Sequence, residues 1–346
     1  MPANLSPDYK AAEAAFRATR EPRERLECLR EMLRTIPKHK GTEHLQADIK
    51  ARIKDLGEQL DSGRKGGSHG GPALVTRPEG AAQIALLGPP NSGKSALHGR
   101  LTGSGATVAP YPFTTQHPLP GMMPHEDVFF QLVDLPPVAA EHPVPWIGSA
   151  LQTADAALLV VDLGEPGGTE QLQEVRSLLA ARKVWLTDRW PGSGEAPDDA
   201  APVAGQPGDD DPFGLRLPTL LLANKADLVA DPDAELRTLR ELSGLPFPAR
   251  AVSAGTGRGL GGLGEWLFDR LGVVRVYTKV PGHALDRQRP FTLRRGQTVD
   301  HVARLVHRDL VRRLRYARIW GPSGYDGQTV GHEHPVADGD VVELHT

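Results

Sequence analysis

The chain of 346 residues contains a single cysteine, Cys28. One cysteine forms neither an intramolecular disulfide nor a thiolate metal cluster, so the sequence fits a reducing cytoplasm. Aromatic residues make up only 5% of the sequence, and the longest apolar run, 156–161, is far too short to span a bilayer. The N-terminus also lacks the apolar core of a signal peptide. We therefore expect a cytoplasmic protein with no membrane partner.

Neither sign of charge dominates, because 40 basic and 43 acidic side chains leave a formal net charge of −3. The distribution is uneven, with a net charge of +3 over residues 1–70, −10 over residues 71–272 and +4 over residues 273–346. An acidic centre between basic flanks predicts that any polyanionic partner is bound by the ends of the chain.

The stretch Gly88–Ser95 reads G-x-x-x-x-G-K-S, the phosphate-binding P-loop. It follows a short apolar run, 82–87, that is typical of a buried strand, and it precedes a segment that can open a helix. Glycines at both ends let backbone N–H groups turn toward phosphate oxygens, and the helix N-terminus adds a favourable potential. Lys94 is predicted to reach the β- and γ-phosphates, and the Ser95 hydroxyl is predicted to bind Mg²⁺.

The stretch Asn224–Asp227 reads N-K-A-D and follows another buried strand. The Asp227 carboxylate can accept hydrogen bonds from N1–H and the 2-amino group of guanine, a donor pair that adenine lacks. Lys225 is predicted to lie along the base, and a backbone N–H near Ser253 and Ala254 is predicted to read the guanine oxygen. The predicted nucleotide-binding residues are Gly88, Pro89, Pro90, Asn91, Ser92, Gly93, Lys94, Ser95, Ala96, Asn224, Lys225, Asp227, Ser253 and Ala254.

Two further positions complete the predicted magnesium site. Asp134 ends a strand predicted over 127–134, where an acid can hold Mg²⁺ through water. Thr115 can complete the Mg²⁺ shell when a γ-phosphate is present, with Thr114 as the neighbouring alternative. The predicted catalytic residues are Lys94, Thr115 and Asp134, and the predicted metal ligands are Ser95, Thr115 and Asp134.

The patterning predicts an α/β protein of several parts. Apolar residues at helical spacing predict a helical hairpin over 1–62, followed by a linker over 63–80. Alternating strands and helices over 81–272 predict a mostly parallel sheet with helices on both faces, interrupted at 188–214 by a disordered insertion rich in Gly, Pro and Asp. Residues 273–346 predict the order ββαββ, with one helical stripe running from Val302 to Leu314.

Several of these motifs resemble a known family. The stretches 111–115, 120–121, 134–136 and 224–227 resemble the Obg-related GTPases, and within them the developmentally regulated GTP-binding (DRG) family. The stretch 34–44 resembles the entry segment of that family, and the stretches 274–279, 293–296 and 325–328 resemble its TGS domain, a β-grasp fold. The resemblance implies binding of GTP and GDP, slow Mg²⁺-dependent hydrolysis, association with ribosomes or structured RNA, and an unidentified regulatory protein.

The chain departs from the family pattern at Pro137, which stands where the third motif normally ends in glycine. Proline has no N–H to offer a γ-phosphate. Val138 occupies the place where many GTPases carry a water-orienting glutamine, as is usual in this family. Asn91 matches a P-loop asparagine that helps hold K⁺ in related GTPases, although bracing the loop is an equal alternative.

Three function classes remain open from the sequence. The first is a GTPase switch that acts on the translation apparatus. The second is a scaffold that binds GTP with little or no hydrolysis, which Pro137 favours. The third is a nucleotide-dependent metabolic enzyme. No residues of a substrate pocket support this class, and Asp227 argues against the use of ATP.

Overall fold

The computed structural model of the chain describes residues 6–19, 22–37, 42–62, 75–103, 117–193, 213–283 and 289–346. The chain divides into two compact units, Met1–Leu74 with Ala201–Leu215 and Val75–Ala200 with Arg216–Thr346. Within the described ranges, no helix is both long enough and apolar enough to cross a membrane.

The first unit is helical, as predicted, but its described residues form three helices rather than a hairpin of two. They are α1 (Pro7–Ala18), α2 (Pro22–Thr35) and α3 (Glu43–Ser62). A separate α1 begins after Ser6 because the Ser6 hydroxyl caps it, accepting a hydrogen bond from the N–H of Tyr9 at 3.1 Å. The three helices share one core, formed by Tyr9, Phe16, Leu29, Met32, Ile36, Ile49 and Phe213.

The second unit contains the predicted mostly parallel sheet. Its strands are β1 (Ala82–Leu87), β2 (Leu119–His125), β3 (Val128–Asp134), β4 (Ala156–Asp162), β5 (Val184–Thr187), β6 (Leu215–Asn224) and β7 (Ala249–Ala251). The order is β2-β3-β1-β4-β6-β5, and β7 also pairs with β6. The pairs β1–β3, β1–β4, β4–β6 and β6–β7 are parallel, whereas β2 is antiparallel to β3. Parallel pairing brings the carboxyl ends of β1, β3, β4 and β6 to one edge.

Helices cover both faces of this sheet. They are α4 (Lys94–Thr102), α5 (Ile147–Leu151), α6 (Gly168–Ala180), α7 (Pro232–Ser243) and α8 (Leu263–Arg270). Leu97 of α4 and Leu267 of α8 share a core with Val160 of β4. Gly168 of α6 lies next to Val161, which points to the opposite face because strand side chains alternate.

The C-terminal domain has its own five-stranded sheet. Its elements are β8 (Val273–Lys279), β9 (Phe291–Arg294), α9 (Val299–Val306), α10 (Leu310–Arg313), β10 (Tyr316–Trp320), β11 (Gln328–Val330) and β12 (Asp340–His345). The strand order is β11-β10-β12-β8-β9, with β8 and β12 parallel. This confirms the ββαββ core and adds α10 and β11.

The predicted helical stripe from Val302 to Leu314 is wrong in its middle. Helix α9 ends at Val306, and His307 is extended, so the chain breaks before α10. Leu305 and Val306, in the last turn of α9, are 50% and 37% exposed instead of lying in the core.

The predicted insertion at 188–214 is anchored at both of its described ends. Trp190 is buried in the core of the sheet, with its ring 4.8 Å from that of Trp266, and Pro191–Ser193 forms a short 3-10 helix. Phe213 is buried in the core of the helical unit, with its ring edge against Phe16. Residues 194–212 lie outside the described residues, as do residues 63–74 of the predicted linker.

Candidate functional site

The phosphate-binding loop lies between the end of β1 and the start of α4, as the sequence predicts. Gly88 has a φ of 148°, and a Cβ there would lie 2.1 Å from the carbonyl oxygen of Val160. Gly93 has a φ of 88°, and a Cβ there would lie 2.2 Å from the amide nitrogen of Asn224. A side chain at either position would collide with the end of a neighbouring strand, which explains why the loop is bounded by glycines.

Lys94 is buried and turns its ammonium group into the loop. Its Nζ donates to the carbonyl oxygens of Gly88 at 3.1 Å and Pro89 at 2.9 Å. Burial lowers the pKa of Lys94 to about 8, against the opposing effect of the Asp134 carboxylate. A poorly solvated cation held by neutral carbonyls is suited to receive an anion.

Ser95 and Asp134 meet at the same edge of the sheet. The Ser95 hydroxyl donates to Oδ2 of Asp134 at 2.6 Å, and Asp134 is fully buried at the end of β3. Hydroxyl and carboxylate oxygens are the ligands that Mg²⁺ prefers, so these two side chains fit that ion. Thr115, the third predicted ligand, and its alternative Thr114 lie outside the described residues.

Asn224 joins the P-loop to the loop that follows β7. Its Nδ2 donates to the carbonyl oxygen of Ser92 at 3.0 Å, and its Oδ1 accepts from the N–H of Ala254 at 3.0 Å. Asn224 is almost fully buried, so both bonds are shielded from water. The amide group therefore fixes the spacing between two loops that are far apart in the sequence.

The other residues of the N-K-A-D stretch differ in environment. Lys225 Nζ lies 2.6 Å from Oδ2 of Asp162, whereas the Asp227 side chain is exposed. Oδ2 of Asp227 lies 3.9 Å from the position that a Cβ of Gly255 would take, so its carboxylate faces the loop after β7. Ser253 is buried in that loop, and its hydroxyl accepts from the N–H of Thr256 at 3.0 Å.

The remaining predicted loop residues range from exposed to buried. Asn91 is exposed with a φ of 58°, a left-handed conformation that asparagine tolerates. Pro90 and Ala96 are half-buried, and Pro89 is buried. Ser92 is also buried, with its hydroxyl donating to the carbonyl oxygen of Pro89 at 3.0 Å.

The third motif lies against the P-loop. Leu135, Pro136, Pro137 and Val138 are all buried after the end of β3. The N–H of Val138 donates to the carbonyl oxygen of Gly88 at 3.1 Å. Since Pro137 has no N–H, neither of these two positions presents an amide to a phosphate in this state.

Two residues near the site were missed by sequence reasoning. Arg100 of α4 donates to the carbonyl oxygens of Gly255 and Thr256, each at 3.1 Å, and so holds the loop after β7. Nothing in the local sequence around Arg100 signals this contact. Asp162 pairs with Lys225. Like Asp134, it is an acid at the end of a buried strand, and this position in the sequence could have indicated a role at the site.

The P-loop and the guanine-recognition motif N-K-A-D lie at one edge of a mostly parallel sheet, and together they define a P-loop GTP-binding protein. Comparisons with known proteins agree with this class. Residues 83–187 match the family described as 50S ribosome-binding GTPase, and residues 274–346 match the TGS domain.

Relatives cover nearly the whole chain. An uncharacterized GTP-binding protein of Halobacterium salinarum is 30% identical over 93% of this chain and 98% of its own length. Developmentally-regulated G-protein 1 of Arabidopsis thaliana is 29% identical over 91% of this chain and 88% of its own length. The structure of the Schizosaccharomyces pombe YchF GTPase is similar in fold, with a TM-score of 0.53 and 14% identity over 78% of this chain and 100% of that one. The chain belongs to the developmentally regulated GTP-binding protein family.

Proposed function

We propose that the protein hydrolyses GTP slowly with the help of Mg²⁺ and acts as a nucleotide-dependent switch on ribosomes or structured RNA. The observation that carries the nucleotide part is the position of Asn224. Its side chain joins the P-loop at Ser92 to the loop at Ala254, and these loops are the proposed sites for the phosphates and the base. One buried amide thus fixes the spacing between the loop proposed for the phosphates and the loop proposed for the base of a guanine nucleotide.

The phosphate end of the site is assigned to four residues of the chain. Lys94 exchanges its bonds to loop carbonyls for bonds to the β- and γ-phosphate oxygens. Ser95 and Asp134 would hold Mg²⁺, with Thr115 as a third proposed ligand. When bound, the ion neutralises charge on the γ-phosphate.

The base end of the site selects guanine. Asp227 accepts from N1–H and the 2-amino group, and Lys225 lies along the ring. Ser253 and Ala254 belong to the loop assigned to the guanine oxygen, with Arg100 holding the residues that follow. Adenine lacks this donor pair, so an adenine nucleotide would lose both hydrogen bonds to Asp227.

Hydrolysis would proceed by in-line attack of water on the γ-phosphate, releasing GDP and phosphate, with the Lys94 ammonium neutralising charge. Support for a slow rate comes from Pro137, which has no N–H, and from Val138, whose N–H is bonded to Gly88. GTPases that keep a glutamine turn over at about 10⁻⁴ s⁻¹ unassisted, and we expect a basal rate at or below this value. The same observations favour a second candidate, a scaffold that binds GTP but scarcely hydrolyses it.

Turnover by the purified protein and by a Pro137→Gly variant separates these two candidates. Pro137→Gly restores an N–H at the end of the third motif, and we expect the GTPase rate to rise by about tenfold or more. Pro136→Gly is the matched control, because it relaxes the neighbouring proline while position 137 still has no N–H. Equal rates for all three proteins favour the scaffold, and a fast basal rate in the unchanged protein contradicts our account of Pro137.

Asn91 is the residue we assign to a K⁺ ion beside the phosphates. Support comes from its exposed position at the turn of the P-loop. Turnover measured in equal concentrations of K⁺ and Na⁺ tests this assignment, with Asn91→Ala expected to remove any difference. Equal rates in the two salts for the unchanged protein remove the K⁺ proposal and leave Asn91 as a loop residue.

The proposed ribosome or RNA partner is supported by charge. Exposed basic side chains cluster around α9 and α10, namely Arg304, Arg308, Arg312, Arg313 and Arg315. Such a cluster suits phosphate contacts, and its binding weakens steeply as salt rises. The match to a family described as 50S ribosome-binding GTPase supports the same partner class.

Co-sedimentation with ribosomes, under GDP and under a non-hydrolysable GTP analogue, tests this partner. We expect nucleotide-dependent binding and a turnover raised by ribosomes. Replacing Arg304 and Arg308 with glutamine should weaken binding, whereas replacing the exposed Arg237 and Arg240 of α7 should not. If ribosomes neither bind the protein nor raise its turnover, the translation part of the proposal fails while the nucleotide part stands.

A further inference from the structure

We infer that Asp162 is a positioning residue for guanine binding, acting through Lys225; the inference rests on the proposed GTP binding. Asp162 lies outside the G-x-x-x-x-G-K-S and N-K-x-D motifs, at the end of β4. Its Oδ2 lies 2.6 Å from Lys225 Nζ, and the side chains of Asp162 and Lys225 are 16% and 33% exposed. A charge-assisted bond in this partly shielded place is stronger than a surface ion pair.

The Asp162 carboxylate is itself held in place. Its Oδ1 accepts from the N–H of Gly164 at 3.1 Å, which leaves Oδ2 for the lysine. Asp162 is opposite Asn224 in the parallel pairing of β4 with β6, and the N–H of Leu163 donates to the carbonyl oxygen of Asn224 at 2.9 Å. The sheet therefore fixes the carboxylate relative to the residue that precedes Lys225.

The backbone of Lys225 gives the side chain its starting direction. Lys225 has a φ of 62°, a left-handed conformation that is unfavourable for an L-residue with a long side chain. It is retained by the surrounding turn, in which the N–H of Ala226 donates to Val252 and the N–H of Leu228 donates to the carbonyl oxygen of Lys225. A strained backbone fixed in this way points to a functional constraint on the side chain.

The ion pair then restricts the rest of the side chain. A free lysine loses much rotamer entropy when a ligand orders it. With the ammonium held by Asp162, the methylene stem of Lys225 is ordered before the nucleotide arrives and forms a ready wall for the guanine ring. Preorganisation of this kind raises affinity without a new contact to the ligand.

A double-mutant cycle tests the inference, with fluorescent GDP and GTP analogues as the probes. The variants are Asp162→Asn, Lys225→Met and the double substitution. We expect Asp162→Asn to weaken binding of both analogues by about tenfold, because the lysine must then be ordered on binding. The double variant should bind no more weakly than Lys225→Met alone. The ratio of GDP to GTP affinity should not change, because the ion pair lies on the side of the base.

The matched control is Asp155→Asn. Asp155 precedes the other end of β4, and its Oδ1 lies 3.2 Å from Arg294 Nη2, so the variant removes a comparable ion pair away from the nucleotide edge. We expect it to leave nucleotide affinity unchanged. If Asp162→Asn does not fold, Asp162→Ser keeps an acceptor for the N–H of Gly164 while removing the charge.

The outcomes separate this inference from the function on which it rests. Absence of guanine-nucleotide binding by the unchanged protein contradicts the proposed function. Normal binding by Asp162→Asn, or additive losses in the double variant, overturns the positioning role while leaving GTP binding intact.

Discussion

The Lys94 ammonium group is buried, although phosphate binding depends on its positive charge. Burial lowers its pKa to about 8, whereas a lysine in the unfolded chain has a pKa of about 10.4. The folded protein thus releases this proton at lower pH than the unfolded chain does. The charged lysine opposes folding fully below pH 8, and this cost is relieved as the pH rises from there toward the unfolded pKa.

The affinity for guanine nucleotides should therefore fall as the pH rises above 8. Bound phosphates stabilise the ammonium form of Lys94, so binding at higher pH must take up a proton. With a pKa of about 8, affinity at pH 9 should be roughly tenfold lower than at pH 7. Calorimetry in buffers of different ionisation enthalpy measures the proton uptake, which should approach one proton.

A Lys94→Arg variant is the control for this pH dependence. Arginine stays charged at these pH values, so the variant should bind more weakly but lose the slope between pH 7 and pH 9. A slope that persists unchanged in Lys94→Arg would assign the titration to another group.

At the scale of elements, the turn from β1 into α4 depends on Gly93. Its φ of 88° and the 2.2 Å approach of Asn224 Nδ2 leave no room for a Cβ. Gly93→Ala should push the Asn224 amide away from Ser92, destabilising the fold by about 1–3 kcal/mol and greatly weakening guanine-nucleotide binding. Denaturant unfolding and nucleotide titration measure the two effects.

Gly103→Ala is the matched control at the other end of α4. Gly103 has a φ of 67°, but a Cβ there would meet no atom within 4 Å. It should therefore cost only the left-handed backbone strain of about 1–2 kcal/mol and leave nucleotide affinity unchanged. Equal loss of affinity in the two variants would show that the contact with Asn224 is not what Gly93 protects.

The central strands could be predicted from sequence because they are largely apolar and mostly buried, as in the run 156–161. Strand β2 could not, since Pro120, Gly121 and Pro124 are typical of a turn. It forms a strand because it lies at the edge of the sheet and pairs with β3 alone among the described strands. A missing N–H on its open side costs no ladder bond there. Edge position is a tertiary property that local patterning does not contain.

The candidate site likewise contains residues that the sequence predicts and residues that it does not. Lys94, Ser95, Asp134 and Asn224 were predicted because phosphate and base recognition demands those residue types in that order. The contacts of Arg100 with Gly255 and Thr256 could not be predicted, because they depend on which loop folds beside α4. The motifs thus identify the groups proposed to bind the nucleotide, while the groups that hold these residues in place depend on the order of the strands.

At the scale of the whole molecule, the hairpin of β2 and β3 connects the nucleotide edge to the TGS domain. Asp134 lies at one end of this hairpin, and Asp127 lies at its tip. Tyr277 of β8 donates its hydroxyl to Oδ2 of Asp127 at 2.5 Å, and Arg275 Nη1 lies 3.1 Å from Oδ1 of the same carboxylate. Arg275 also pairs with Glu126 and binds Asp338 through Nη2 at 2.7 Å. The tip is therefore bound to the TGS sheet through charge.

Replacing Asp127 should loosen the contact between the GTPase and TGS domains. Asp127 and Arg275 are 28% and 21% exposed, so Asp127→Asn should lower the free energy of unfolding by about 1–3 kcal/mol at pH 7. Burial acts to raise the pKa of Asp127, but the hydrogen bonds from Tyr277 and Arg275 outweigh it and the pKa is lowered.

The lowered pKa gives this destabilisation a pH dependence of known sign. The carboxylate contributes stability above the unfolded pKa of about 3.9, and the contribution is lost as the pH falls through the lower folded pKa. The difference between the unchanged protein and Asp127→Asn should thus be full at pH 7 and shrink below about pH 4. Denaturant unfolding at a series of pH values measures it, with the exposed Asp326→Asn as a control that should show no difference. A difference that stays constant down to pH 3 would mean that Asp127 acts by packing and not by its charge.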